Sequence, residues 1–260
     1  MMKKTISQCM IVKNEEKNIR RALSWGKDIM CEQIVVDTGS SDRTVEIARE
    51  MGAKIFSFPW INDFAAAKNF AIDQAKGDWI AFLDADESFT PEDAAKIPEI
   101  LEYVGDDVDG LLTGIVDLDE NNNITSGGTM IRFFVNRPDL RYVGKIHEHL
   151  VRKGRSELHL TDATKQLAFL HTGYQEQEKK DKSKFERNLN IILEILKQEP
   201  ENCDYLGYLG DTYSSDGKNE EARDAYKKAV AAMPEKLGVY DQRSSYTYTN
   251  LLRVSKCLNA

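Results

Sequence analysis

The chain has no paired cysteines, no long apolar runs, no basic excess and no glycine-rich phosphate loop. Its four cysteines, Cys9, Cys31, Cys203 and Cys257, are scattered without a Cys-x-x-Cys pair, so zinc has little support in the spacing. Cys9 and Cys31 fall in or beside apolar runs and are expected to be buried small hydrophobes in a reducing compartment. No apolar run is long enough to cross a bilayer. The first apolar stretch stops at Lys13-Asn14-Glu15-Glu16, too early for a secretory signal. The expectation is a cytoplasmic protein that is not transmembrane. Acidic residues number 43 and basic residues 35, a formal charge of −8, which disfavours nucleic acid and anionic membrane as partners. A dinucleotide or nucleotidyl-transfer domain needs glycines after its first strand. Two carboxylates stand there instead and would repel a pyrophosphate.

What is present is a chain of 260 residues, 41% hydrophobic and 30% charged, enough for one large domain or two smaller ones. Its first part alternates strand and helix. Ile6 to Val12 reads as a strand, Asn14 as a helix cap with Glu15 and Glu16 at the positive helix end, and Gln33 to Asp37 as a second strand. Thr38 to Asp42 forms a turn into a helix from Thr44 to Met51, which Gly52 ends as a left-handed stop. Lys54 to Phe58 is a third strand. An alanine-rich helix from Phe64 to Lys76 follows, with Asn62-Asp63-Phe64 at its cap. Strands separated by such helices predict an α/β fold with parallel strands and right-handed crossovers.

The most informative segment comes next. Trp79-Ile80-Ala81-Phe82-Leu83 is an apolar run that ends in Asp84-Ala85-Asp86-Glu87. A strand apolar on both faces is buried between helices, and the carboxyl edge of such a sheet is where open α/β folds bind ligands. Two carboxylates there can hold a hard divalent cation and, through it, a diphosphate. A solvated acidic turn is the plainer reading of an isolated Asp-x-Asp. Beyond it, Thr90-Pro91 starts a helix. Val108 to Leu118 and Thr129 to Asn136 read as antiparallel strands around an Asn-rich turn, and Lys145 to Arg152 as a strand or a loop.

From about Asp181 the chain turns helical. Phe185, Leu189, Ile192, Leu193 and Leu196 form an apolar stripe. Leu206, Leu209, Gly210, Tyr213, Gly217, Ala222, Tyr226, Ala229 and Pro234 match the offsets of a tetratricopeptide repeat, and the tail from Tyr240 reads as a capping helix. So short a repeat array cannot bury its own apolar faces. It is expected to lean on the preceding domain or on another subunit, as in a homodimer through the helical tail. Two domains are expected, residues 1–178 and 179–260.

Several other residues bear on chemistry. Asp37 ends the second strand at the same sheet edge as Asp84, where it can accept from a pyrimidine imide or simply cap its turn. Lys68 can neutralise a diphosphate or be a solvated lysine. His147-Glu148-His149 suits metal binding or proton transfer, although three successive residues of a strand cannot all face one site. His171 closes an apolar strand and is either a satisfied core histidine or a ligand that completes a metal shell with Asp86.

Together these passages resemble glycosyltransferase family 2, inverting enzymes of the GT-A fold, a Rossmann-like mixed sheet flanked by helices. The resemblance rests on Cys9 to Glu16, Val35 to Thr44, Ala67 to Ala71 with Ala75 to Trp79, and Phe82 to Glu87, in the family's order. It looks closest to members with C-terminal tetratricopeptide helices, including those that glycosylate bacteriocin peptides, and it shares signatures with lipopolysaccharide-core glucosyltransferases. The resemblance implies residue roles. Val12, Asp37, Lys68, Asp84 and Ala85 would contact the nucleotide-diphosphate sugar, with Asp37 at the base and Asp84 near ribose and metal. Asp86 and His171 would ligate Mn²⁺ or Mg²⁺. Glu148 would deprotonate a peptide, protein or glycan acceptor. Two positions depart from the family: Lys68 where many members have arginine, and His147-Glu148 where the base motif usually ends in aspartate. A DxD-type phosphatase is a rival, but its nucleophile belongs on the first strand of the domain. A non-catalytic repeat scaffold with a decayed site is a second rival, opposed by the intact set of acids and histidines.

Overall fold

In the computed structural model, residues 3–172, 182–234 and 242–258 are described. The chain divides into two compact units, Met1–Lys180 and Asp181–Ala260. The expected boundary at 178/179 and the Tyr240 start of the tail lie outside the described residues.

The first unit contains strands β1 (Ile6–Val12), β2 (Glu32–Asp37), β3 (Lys54–Ser57), β4 (Trp79–Phe82), β5 (Glu87–Phe89), β6 (Gly110–Leu118), β7 (Ile124–Val135), β8 (Leu140–Val143), β9 (His149–Arg152), β10 (Leu160–Asp162) and β11 (Ala168–His171). Its helices are α1 (Ile19–Ser24), α2 (Thr44–Glu50), α3 (Phe64–Asp73) and α4 (Pro91–Tyr103). Strands β3, β2, β1 and β4 run parallel. The sheet then continues through β7, β6, β11 and β5, with β10 beside β6, while β8 and β9 form a separate hairpin. Pairs β4–β7, β7–β6 and β11–β5 are antiparallel.

This order places the ligand edge. Only Leu83 to Asp86 separate β4 from β5, yet three strands stand between them in the pairing order. Four interstrand spacings in a flat sheet would be about 19 Å. A fully extended linker of that length reaches only about 17 Å, and this one is turned. The sheet must therefore curl, which brings the start of β5 and the end of β11 to the carboxyl end of β4. The result is the α/β mixed sheet with flanking helices that the resemblance implies.

Local chemistry explains the helix starts. Asp63 caps α3 by accepting from the Ala66 amide at 2.8 Å. Thr90 caps α4 by accepting from the Asp93 amide at 3.2 Å, with Pro91 in the first helical turn. Asn14 is a correction. It does not cap a helix but sits at φ +57°, where its side-chain oxygen accepts from the Ser41 amide at 2.8 Å and its own amide donates to Ser40 Oγ at 2.9 Å. The loops after β1 and β2 are thereby joined at the ligand edge, and α1 begins only at Ile19. Cys9 is buried as expected, but Cys31 is exposed at the head of β2. All four thiols are free.

The second unit contains α5 (Lys182–Gln198), α6 (Cys203–Ser215), α7 (Asn219–Ala232) and α8 (Gln242–Leu258). Helices α6 and α7 pack where Gly210 lies against the Tyr226 ring, which leaves no room for a Cβ at that position. The Tyr226 hydroxyl donates to Asp211 at 2.8 Å. The α5 stripe departs from its expected phase: Ile191 and Ile192 are buried, whereas Leu193 is exposed. No helix among the described residues is long and apolar enough to cross a membrane.

Candidate active site

Helix α3 and strand β8 build one wall of the site. Asn69 Nδ2 donates to the Tyr142 carbonyl and Asn69 Oδ1 accepts from the Tyr142 amide, each at 2.9 Å. The asparagine thus pairs with β8 as a strand would. The Phe64 amide donates to the Lys145 carbonyl at 2.8 Å, which holds the loop after β8 against the start of α3. That loop carries Glu148. His147 adopts φ +55°. Glu148 turns inward, with 13% of its side chain exposed, while His147 and His149 remain at the surface.

Lys68, on the same helix, is buried. Its Nζ lies 2.6 Å from Glu148 Oε1 and 3.9 Å from Asp84 Oδ1, over the faces of Phe82 and Tyr142 at 5.1 and 5.0 Å from the ring centroids. Burial works against its charge, but Asp84 and Glu148 outweigh burial and raise its pKa above the ordinary lysine value. Lys68 is therefore neither a solvated lysine nor an isolated point charge; it joins two acids that lie far apart in sequence.

Asp84 is tied from a second side. Arg132, on β7, donates to Asp84 Oδ2 at 3.3 Å and to Glu87. The Asp84 amide donates to Glu87 Oε2 at 3.0 Å. Burial penalises the Asp84 charge, yet Lys68, Arg132 and His171 hold its carboxyl below the usual range. Burial pushes the Glu87 carboxyl up to about 7, with Arg132 opposing and the Asp84 charge reinforcing the rise.

On the other side of the same loop, Asp86 Oδ2 lies 3.4 Å from His171 Nε2. His171 Nδ1 lies 2.8 Å from Asp117 Oδ1 on β6. Burial lowers the histidine's affinity for a proton, but its bonds to Asp86 and Asp117 prevail and push it up to about 9. The Asp86 carbonyl accepts from the Thr172 amide at 3.1 Å and from Arg21 at 3.4 Å, which anchors the loop to β11 and α1. Val12 pairs with Asp37 at the ends of β1 and β2, and Ala85 is buried between the two acids of the loop. Asp37 accepts from the Ser40 amide at 3.0 Å and the Gly39 amide at 3.2 Å, so it caps its turn at the sheet edge.

Asp86 and His171 can offer one carboxylate oxygen and one imidazole nitrogen to a divalent cation. No group of three or more acidic, histidine or cysteine side chains poised for a metal occurs among the described residues. Two protein donors at an open edge suit Mg²⁺ or Mn²⁺, which keep waters and take substrate phosphate oxygens for their remaining positions. The donor set fits such an ion.

Sequence reasoning missed Arg132, Asp117 and Tyr142. Two of them carried a signal: Arg132 is a lone cation in Ile131-Arg132-Phe133-Phe134, and Asp117 a lone acid in Ile115-Val116-Asp117-Leu118.

A curled mixed sheet whose carboxyl edge carries this acid loop is the architecture of a GT-A-type transferase. TarS of S. aureus (residues 1–349, in complex with UDP-GlcNAc) shares the fold at a TM-score of 0.55 and 15% identity, covering 98% of this chain and 91% of that one. The family model described as glycosyl transferase family 2 matches residues 7–155, and the chain belongs to that family. The SPbeta prophage-derived glycosyltransferase SunS of Bacillus subtilis is 33% identical over 231 residues, 87% of this chain and 53% of SunS. A TPR repeat-containing protein of Synechococcus elongatus is 40% identical over 143 residues, 55% of this chain and 34% of that protein. The chain spans about half the length, or less, of these curated relatives.

Proposed function

We propose that this chain catalyses metal-dependent, inverting transfer of a sugar from a nucleoside-diphosphate donor to a peptide, protein or glycan acceptor. The observation that carries the reading is convergence. Residues from four separate passages, Lys68, Asp84 with Asp86, Glu148 and His171, meet at one sheet edge through contacts of 2.6 to 3.9 Å. The TarS complex with UDP-GlcNAc and the kinship with SunS support a nucleotide-sugar donor.

In this reading Val12, Asp37 and Ala85 line the nucleoside, and Asp84 lies toward the ribose and diphosphate. Asp86 and His171 hold Mn²⁺ or Mg²⁺; when bound, the ion supplies positive charge against the diphosphate leaving group. Lys68 adds charge at the same place and fixes the Glu148 carboxylate. Glu148 takes the proton from the acceptor nucleophile as that atom attacks the anomeric carbon opposite the departing diphosphate, so the configuration inverts. A thiol acceptor would depend less on this base, because thiolate forms more readily. Helices α5 to α8 are read as tetratricopeptide-like and as a surface for the acceptor or for a second subunit. The test is a donor screen: protein with Mn²⁺, a panel of sugar nucleotides and release of nucleoside diphosphate as the readout. Phosphate release from a simple ester, without any sugar nucleotide, would favour a phosphatase instead.

A further inference from the structure

Four polar residues form a row across four neighbouring strands. Ser126 of β7 is paired with Asp117 of β6, Asp117 with His171 of β11, and His171 with Glu87 of β5. Residues directly opposite in a sheet project to the same face, so the register itself aligns these side chains. Contacts run along the row. Ser126 Oγ donates to Asp117 Oδ2, and Asp117 Oδ1 lies 2.8 Å from His171 Nδ1. The opposite ring nitrogen, Nε2, faces Asp86 Oδ2 at 3.4 Å. Asp117 and His171 expose only 11% and 17% of their side chains.

The two ring nitrogens therefore have different partners. A carboxylate accepts only, so Nδ1 must carry a proton to bond Asp117. Nε2 is the nitrogen on the Asp86 side of the ring, 3.4 Å from Asp86 Oδ2. Histidines that bind metals generally give their second N–H to a carboxylate, a backbone carbonyl or a water, which sets the tautomer and the ring orientation. Asp117 is not a donor to the ion in this arrangement, because the whole imidazole ring stands between it and Asp86.

We propose that Asp117, itself held by Ser126, is the positioning residue that keeps the proton on His171 Nδ1 and aims Nε2 at Asp86 for a divalent cation. The inference rests on the reading of Asp86 and His171 as the cation site. It adds a residue from a strand outside the acid loop, and its hydrogen bond exists in the protein without metal, so it can be examined separately.

The experiment uses the full chain. Mn²⁺ is titrated in the presence of UDP, and in parallel GDP, with free Mn²⁺ read by electron paramagnetic resonance. Wild type is compared with Asp117→Ala, Asp117→Asn and Ser126→Ala. Nitrogen-15 histidine spectra of the metal-free protein are recorded alongside, with His171 assigned through His171→Gln. Asp117→Ala should weaken Mn²⁺ binding about 10- to 100-fold, Asp117→Asn less, and Ser126→Ala least. The hydrogen-bonded Nδ1–H resonance of His171 should be present in wild type and lost in Asp117→Ala. The isosteric Asp117→Asn decides the matter if the alanine variant does not fold. Wild-type Mn²⁺ affinity in the folded Asp117 variants, or an unchanged Nδ1–H resonance, overturns the inference while leaving the cation site intact. A wild-type protein that binds no Mn²⁺ with either nucleotide overturns both the cation site and the inference.

Discussion

Lys68 Nζ and Glu148 Oε1 stand 2.6 Å apart, both side chains largely out of water. A lysine on an alanine-rich helix and a glutamate on a loop beyond the sheet are thereby one unit. Removing Lys68 leaves the buried Glu148 without its cation, and removing Glu148 leaves Lys68 with Asp84 alone, at 3.9 Å; either loss costs more than breaking an exposed pair would. Lys68→Met is expected to destabilise the fold by about 3–5 kcal/mol. In the double variant with Glu148→Gln the two losses should not add. Urea unfolding of the two single variants and the double variant measures this, and additive losses would contradict the pairing.

Glu148 is also expected to separate binding from transfer. Glu148→Gln keeps the size of the side chain and removes the base, so transfer should fall by about 10²- to 10⁴-fold. Nucleotide binding in the presence of Mn²⁺ should stay near wild type. Measuring both on the same preparation checks the assignment; full transfer by the glutamine variant would rule Glu148 out as the base.

Arg132 meets Asp84 and Glu87 with its side chain buried. Arg132→Met is expected to lose about 3–5 kcal/mol of stability, because it leaves Glu87 buried without its cation. Arg132→Lys should recover only part of this, since an ammonium restores the positive charge but not the reach and donor geometry of the guanidinium. Chemical denaturation of the three proteins tests the order arginine, lysine, methionine.

A pH effect is expected away from the site. Glu32 opens β2 and is buried, with Lys54 Nζ 2.6 Å from Oε2 and with Ser7 Oγ and the Lys76 amide donating to Oε1 at 2.7 and 2.6 Å. Burial opposes its charge, but these bonds prevail and hold its carboxyl below the ordinary glutamate value. A depressed folded pKa contributes stability above the unfolded value, and that contribution is lost as pH falls through the folded one. Glu32→Gln should therefore be less stable than wild type by about 1–3 kcal/mol at neutral pH. The gap should narrow as pH drops below about 4. Unfolding free energies from pH 7 to 3 provide the check, and a constant gap would contradict it.

The parts of this fold that were legible in the sequence are those that local chemistry decides. An apolar run ending in Asp84-Ala85-Asp86 identified the sheet edge, and Asp63 and Thr90 with Pro91 identified two helix starts. Partnerships across strands were not legible. Arg132 reaches Asp84 because β7 inserts beside β4, and Asp117 reaches His171 because β11 returns parallel to β6; no local pattern encodes that order. Asparagine before two glutamates suits a helix start, so the sequence alone presents Asn14 as a cap. Its left-handed conformation instead serves a loop-to-loop contact that exists only once β1 and β2 are side by side. In α5, adjacent isoleucines and leucines made the helical phase ambiguous, and the fold buried Ile191 rather than Leu193.

Calorimetric titration of UDP and GDP into wild type and Asp86→Ala, each with and without Mn²⁺, tests the central claim most directly. Wild type should bind at least one of the two nucleotides in a manner that requires the metal, and Asp86→Ala should lose the metal-dependent part while keeping its fold. Nucleotide binding that is indifferent to Mn²⁺, or unchanged in Asp86→Ala, would contradict the account.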